Sequence, residues 1–148
     1  MRIEVALRQF PLESPVRNII KHFYRDPFTD KDLMPKNKIL SLSLNEAVAE
    51  KLKAAISRRD VAIRDYYDLW HIAESGFDFH NRRFLTILKK KLDAEGYSGD
   101  YRYHFGLSVE KVVLLQRQVE TDLNPVIRLK EIFDIKKVLA KFDRILYE

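Results

Sequence analysis

From Asn45 onward the apolar residues of this chain recur every three or four positions. Ahead of Asn45, apolar and polar residues alternate in short runs. The first period belongs to helices that bury one stripe, the second to strands that bury one face. A chain that changes period once, strand first and helix after, is confined to an α+β order. Four glycines and five prolines in 148 residues are too few turn residues for an all-β fold.

The spacing predicts a first helix capped by Asn45, with Val48, Leu52, Ala55 and Ile56 at core positions. Residues 59–63 break it, and a second helix is expected over 65–74, stopped by Ser75-Gly76. A third runs over 81–95, with Leu85, Leu88 and Leu92 inward and Gly96 as its stop. Residues 96–106 form a loop with aromatic punctuation. Ser108 opens a fourth helix carrying Val112, Leu115, Val119 and Leu123 on one stripe, ended by Asn124-Pro125. Asp134 caps the last, which bears Ile135, Val138, Leu139, Phe142, Ile145 and Leu146.

At the front, Ile3, Val5 and Leu7 face one way and Arg2, Glu4, Ala6 and Arg8 the other, a strand ended by Pro11. A second alternation, Leu40, Leu42 and Leu44 against Ser41 and Ser43, runs straight into the first helix. Residues 16–24 read equally as a short strand or a helical turn, and 26–36 as loop. Two strands make only a marginal sheet in water. They are expected to be the remnant of a larger sheet whose other strands are absent from this chain. The organisation expected is a strand segment over 1–44 and a bundle of about five helices over 45–148, forming one compact unit. The length suits one domain and falls short of two.

Several function classes drop out. The chain has no cysteine, which excludes disulfides, thiolate metal sites and a cysteine nucleophile. No apolar run approaches the roughly 20 residues that span a bilayer, so no membrane partner is expected. Glu4 stands where a signal peptide needs an apolar stretch, and the compartment expected is the cytoplasm. Lys plus Arg number 27 against 22 Asp plus Glu, a net +5 that suits a phosphate-bearing partner and plain solubility alike.

Residues 46–73 carry the densest chemistry. Lys51 and Arg58 are seven apart and share one helix face, about 10 Å from each other. Asp65 and Asp68, three apart, share a face of the next helix. Two like charges so placed cost roughly a few tenths of a kcal/mol unless cations answer them. Lys51, Arg58 or Arg64 is therefore expected to pair with these carboxylates. Lys51, Asp65 and Asp68 should meet at the helix junction that faces the N-terminal strand. An ion-pair network that only fixes the angle between two helices would look the same.

The pattern Glu50-Lys51-Leu52, Ala54, Arg58, then Arg64-Asp65-Tyr66-Tyr67-Asp68-Leu69-Trp70, resembles the C-terminal motifs of the AbiEii/AbiGii nucleotidyltransferase toxins of type IV toxin–antitoxin and abortive-infection systems. The approach through Ser41-Leu42-Ser43-Leu44 and Asn45-Glu46 is similar too. The resemblance is specific over about 39–75 and looser elsewhere. It implies a DNA polymerase β-like core followed by helices, which transfers a nucleotide from NTP and Mg²⁺ to RNA, with tRNA the acceptor expected. By the same resemblance Lys51 would sit by the triphosphate, and Asp65 and Asp68 would position Lys51 or the attacking hydroxyl. Arg58 and Arg64 would hold phosphate or the ion-pair frame. Glu4 would stand for the family's third carboxylate, where Asp is commoner; on residue pattern alone it is equally a solvent-side strand residue.

The family's Gly-Ser turn and D-x-D pair, which hold two metals, have no counterpart here. Asp30-Lys31-Asp32 is a D-x-D with no Gly-Ser before it, and reads as solvated loop. The chain is therefore expected to be the C-terminal portion of such an enzyme, inactive alone and with neither NTP nor Mg²⁺ bound. The partners expected are a separate N-terminal nucleotidyltransferase half, an antitoxin and tRNA. A homo-oligomer through the strand edges at 2–8 or 39–44 is the other expectation.

Two further readings compete. Arg64 and His71 match the short R-x(4–6)-H spacing of HEPN-type ribonucleases, although His71 is equally a helix-surface histidine. Lys89-Lys90-Lys91, Lys136-Lys137 and the aromatics Tyr97, Tyr101, Tyr103 and Phe105 with Arg102 and His104 suit a non-enzymatic RNA- or protein-binding module. The same features suit a solvated helix face and a lid over the core.

Overall fold

The structure, a computed structural model, describes residues 10–19, 25–33, 37–97, 100, 107–127 and 133–147. It has the α+β order expected: two short antiparallel strands, then five helices. The strand expected over 2–8, with Glu4, lies outside the described residues, as does most of the aromatic loop.

Strands β1 (Val16–Ile19) and β2 (Lys38–Ser41) pair antiparallel, Val16 opposite Ser41 and Ile19 opposite Lys38. The segment that read both ways is thus a strand over its first four residues. Asn18 Nδ2 donates to Ser41 Oγ at 2.7 Å across the ribbon. Val16, Ile19, Ile39 and Leu40 are all exposed, so among the described residues nothing apolar covers them. Beyond β1, Asp26 Oδ1 accepts the N–H of Phe28 and Thr29, both at 2.8 Å, and Arg25 pairs with Asp30 at 2.8 Å. Asp30-Lys31-Asp32 is therefore exposed and follows the turn at 27–29, with Asp30 at φ 52° and Asp32 bridged antiparallel to Arg25.

The alternation expected through Leu44 stops at Ser41, because Ser43 turns the chain into α1 (Leu44–Ser57). Ser43, and not Asn45, is the cap: its backbone is extended and its Oγ accepts the Glu46 N–H at 3.1 Å. A serine hydroxyl reaches the N–H three residues on from just outside the helix, which Asn45, already inside it, cannot do.

Helix α1 buries Val48, Ala49, Leu52, Ala55 and Ile56 against α3 (Arg82–Ala94) along one side and α2 (Ile63–Glu74) along the other. Helix α3 turns Phe84, Ile87, Leu88 and Leu92 inward. Leu85, expected inside, is only half-buried because the inward stripe runs one residue earlier. Helix α4 (Val109–Gln118), capped by Ser108, continues as a π-helical turn over Val119–Leu123, closed by Asn124 N–H to Val119 O at 2.9 Å. Helix α5 (Ile135–Tyr147) is capped by Asp134 Oδ1 and buries Ile135, Val138, Phe142 and Leu146. Phe77, Phe79, Phe84 and Phe142 meet edge-on at centroid distances of 5.0–5.8 Å and tie the α2–α3 connection to α5.

Helices α2 and α3 end the same way. Gly76 (φ +79°) and Gly96 (φ +82°) sit in the left-handed region. The following Phe77 and Tyr97 donate back to Ile72 O and Leu92 O at 3.4 and 3.0 Å. This double-bonded stop needs a positive φ, which side chains resist. A Cβ at Gly96 would meet nothing within 4 Å, so substitution there isolates the backbone strain. Gly96→Ala is expected to lower unfolding free energy by about 1 kcal/mol. An unchanged urea midpoint would contradict that.

Candidate functional site

Helix α1 carries charge on both borders of its apolar face. Lys51 and Arg58 occupy the border toward α2; Glu46, Glu50 and Lys53 occupy the border toward α3. At about 100° per residue these two sets are separated by roughly 80–160° on the helix wheel.

On the α2 border Lys51 Nζ lies 2.6 Å from Asp68 Oδ2 and 4.0 Å from Asp65 Oδ1. Arg58 Nη1 lies 2.8 Å from Asp65 Oδ2. The ion pairs expected at this helix junction are thus present; the strand it was expected to face lies outside the described residues. Asp65 is 2% exposed and occupies the first turn of α2, where the helix dipole favours a carboxylate. Arg58 stands beside Oδ2 without an aligned N–H, so this buried oxygen accepts no hydrogen bond among the described residues. The side chains of Lys51 and Arg58 are 43% and 39% exposed. Their charged ends reach solvent while their counter-ion is buried. Beneath them Tyr66 donates from its hydroxyl to Ala55 O at 3.3 Å; burial, then the charge of Asp65, push its phenol well above the usual range.

Ala62, the residue before α2, has no side-chain oxygen to cap it. Gln118 of α4 supplies the acceptor: its Oε1 takes the Ile63 N–H at 2.9 Å while its Nε2 donates to Val61 O at 3.1 Å. Arg64 is exposed and does not join the Lys51 cluster; it lines a cavity of about 350 Å³ with Ile63, Gln118, Asp122 and Leu123. His71 packs its ring against Tyr67 and Trp70 at 4.6 and 4.7 Å.

The α3 border holds residues that sequence reasoning missed. Lys91 Nζ lies 2.8 Å from Glu46 Oε1 and 2.6 Å from Glu50 Oε1, with Glu46 and Lys91 0% and 2% exposed. Lys53 continues the network to Glu50 at 2.9 Å and Glu95 at 3.3 Å. Glu46 also accepts the backbone N–H of Leu12 at 2.7 Å and of Glu13 at 3.0 Å. Burial opposes ionisation of Glu46, but Lys91 and the two N–H groups outweigh it and hold the carboxyl below its ordinary value. Burial likewise opposes charge on Lys91, and Glu46 and Glu50 outweigh it, raising the ammonium above its ordinary value. Lys89 and Lys90 are exposed, so the lysine run is not one solvated face.

Among the described residues no group of three or more His, Asp or Glu side chains is arranged to hold a metal ion. Asp65 and Asp68 each face a cation already. These residues do not fit Mg²⁺; their exposed partners fit an anion.

A family model described as Nucleotidyl transferase AbiEii toxin, Type IV TA system, matches residues 1–144. The chain belongs to the AbiEii toxin family. No curated protein and no solved structure matches it. Membership of the AbiEii family makes it a nucleotidyltransferase-type toxin of a type IV system, for which an antitoxin is the partner suggested. Among the described residues no helix is long and apolar enough to cross a membrane.

The pH dependence of stability follows from Glu46 and Lys91. The lowered Glu46 contributes stability above its ordinary value near 4.5, lost as pH falls through its native value; the raised Lys91 contributes below 10.5 and loses it as pH rises further. Lys91→Met leaves Glu46 buried without a counter-ion and is expected to cost about 3–5 kcal/mol at pH 7. Part of that loss should return at pH 4, where Glu46 in the variant takes up a proton. Urea unfolding at both pH values reads the difference, and a penalty independent of pH would refute it.

Proposed function

We propose that the chain is the C-terminal portion of an AbiEii-type nucleotidyltransferase that moves a nucleotide from a nucleoside triphosphate to an RNA hydroxyl, tRNA being the acceptor. The observation that carries this reading is Lys51, held at 2.6 Å by Asp68 beside the buried Asp65, with its charged end half-exposed. An ammonium positioned by carboxylates yet open to solvent suits the oxygens of a triphosphate. Arg58 extends the same positive edge from the end of α1, and Arg64 adds a third cation, on the cavity side of α2. Asp65 holds Lys51 and Arg58 in place, and Asp68 orients Lys51 or the attacking hydroxyl.

Metal binding in this reading belongs to a Gly-Ser and D-x-D half outside these 148 residues, with Glu4 as the one carboxylate this chain would add to it. The exposed apolar residues of the β1–β2 ribbon suit contact with that half, or with a second copy in its absence. Phosphoryl transfer depends almost wholly on positioning, so the chain alone would have no activity.

Incorporation of labelled nucleotide into tRNA tests this, with the chain alone and with a polypeptide supplying the Gly-Ser and D-x-D half. The chain alone should give none and the completed enzyme should transfer. Lys51→Ala in the completed enzyme is expected to lower transfer about 100-fold, the usual loss when one preorganised donor to developing charge is removed. Robust transfer by the chain alone, or full activity of Lys51→Ala, would overturn the reading.

A further inference from the structure

We infer that Glu46 is a positioning residue for that reaction: held by Lys91, it pins Leu12 and Glu13 to α1, fixing the chain that enters β1 in register with Lys51. The inference rests on the transferase reading above, while the strap itself rests on contacts alone.

Ser43-x-x-Glu46 is a capping-box pattern, in which the glutamate side chain ordinarily turns back to the N–H of the cap residue. Here Ser43 caps α1, but the Glu46 carboxylate turns away to a segment more than thirty residues earlier. Oε1 accepts Leu12 N–H and the Lys91 ammonium, and Oε2 accepts Glu13 N–H. The Glu13 carboxylate in turn accepts from Ser43 Oγ and from Arg83 Nε in the first turn of α3. The strap is therefore bonded through its backbone to α1, and through one side chain to the α1 cap and to α3.

Apolar burial does little to hold it. Phe10 and Leu12 are 90% and 48% exposed, and Val16 just beyond is exposed too. Apolar contact would tolerate a slip of one residue; two N–H groups meeting the two oxygens of one fixed carboxylate do not. A buried charge pair is also a poor source of net stability compared with apolar side chains of the same size. What it supplies here is register. Glu46 and Lys51 are five residues apart on a rigid helix, about 7.5 Å along its axis. Whatever the strap leads into is thereby referred to the helix that carries the phosphate-facing lysine.

Hydrogen exchange on the chain tests the strap without reference to activity. The Leu12 and Glu13 amides should be protected, and Glu46→Gln should speed their exchange at least tenfold beyond any acceleration seen in α1 and α3. Uniform acceleration through α1 and α3, or no change at Leu12 and Glu13, would overturn the inference. Should Glu46→Gln fail to fold, Arg83→Ala serves instead, because that side chain is 71% exposed. It should speed exchange severalfold at the same two amides and nowhere else; unchanged rates there would overturn the strap.

In the completed enzyme Arg83→Ala should lower kcat severalfold and leave KM for the triphosphate unchanged. Normal kcat would overturn the positioning role while leaving the exchange result standing. A completed enzyme with no transfer at all would overturn the transferase reading, and the positioning role with it.

Discussion

The buried pair of Glu46 and Lys91 is the constraint around which the described structure is arranged. Two ions without water are tolerable only if every lone pair and proton finds a partner in fixed geometry. Glu50 takes one further donor of Lys91, and the backbone N–H groups of residues 12 and 13 add two donors to Glu46. Three segments distant in sequence, the strap, α1 and α3, are thus joined at one point. The apolar core of Val48, Leu52, Phe84 and Leu88 makes the α1–α3 contact favourable, and the ion pair chooses one alignment for it.

The other border of α1 uses the same residue types to a different end. Asp65 is as deeply buried as Lys91, but its cations are half in water and one of its oxygens lacks an aligned donor. The Glu46–Lys91 contact is shut off from water and serves geometry, whereas Lys51 and Arg58 keep much of their side chains at the surface.

Much of this was legible in the sequence. Helical period, the helix starts at Ser108 and Asp134, and the stops at Gly76 and Gly96 are local signals, and the structure follows them. The pairing of Lys51 with Asp68 was legible because each lies on a predictable face of a neighbouring helix. The Glu46–Lys91 pair was not. Lys91 falls three residues after Leu88 and seven after Phe84, on the inward stripe, yet it ends a run of three lysines that looks like solvated surface. Its partner lies 45 positions earlier, beyond any local pattern; only the Ser43-x-x-Glu46 signature hinted that Glu46 had structural work. The Gln118 carboxamide left no signal at all, since a lone glutamine on an amphipathic helix has no distinguishing period.

That carboxamide has a consequence for how the chain comes into being. The first turn of α2, which seats Asp65, has no cap of its own and borrows one from 55 residues downstream. Helix nucleation is costly, so a turn lacking a local acceptor gains little by forming before that acceptor arrives. A chain growing from its N-terminus would have Lys51 and Arg58 long before anything anchors the carboxylate that orders them. A chain that ended before Gln118 would keep Lys51, Arg58 and Asp65 but lack the acceptor that caps the first turn of α2.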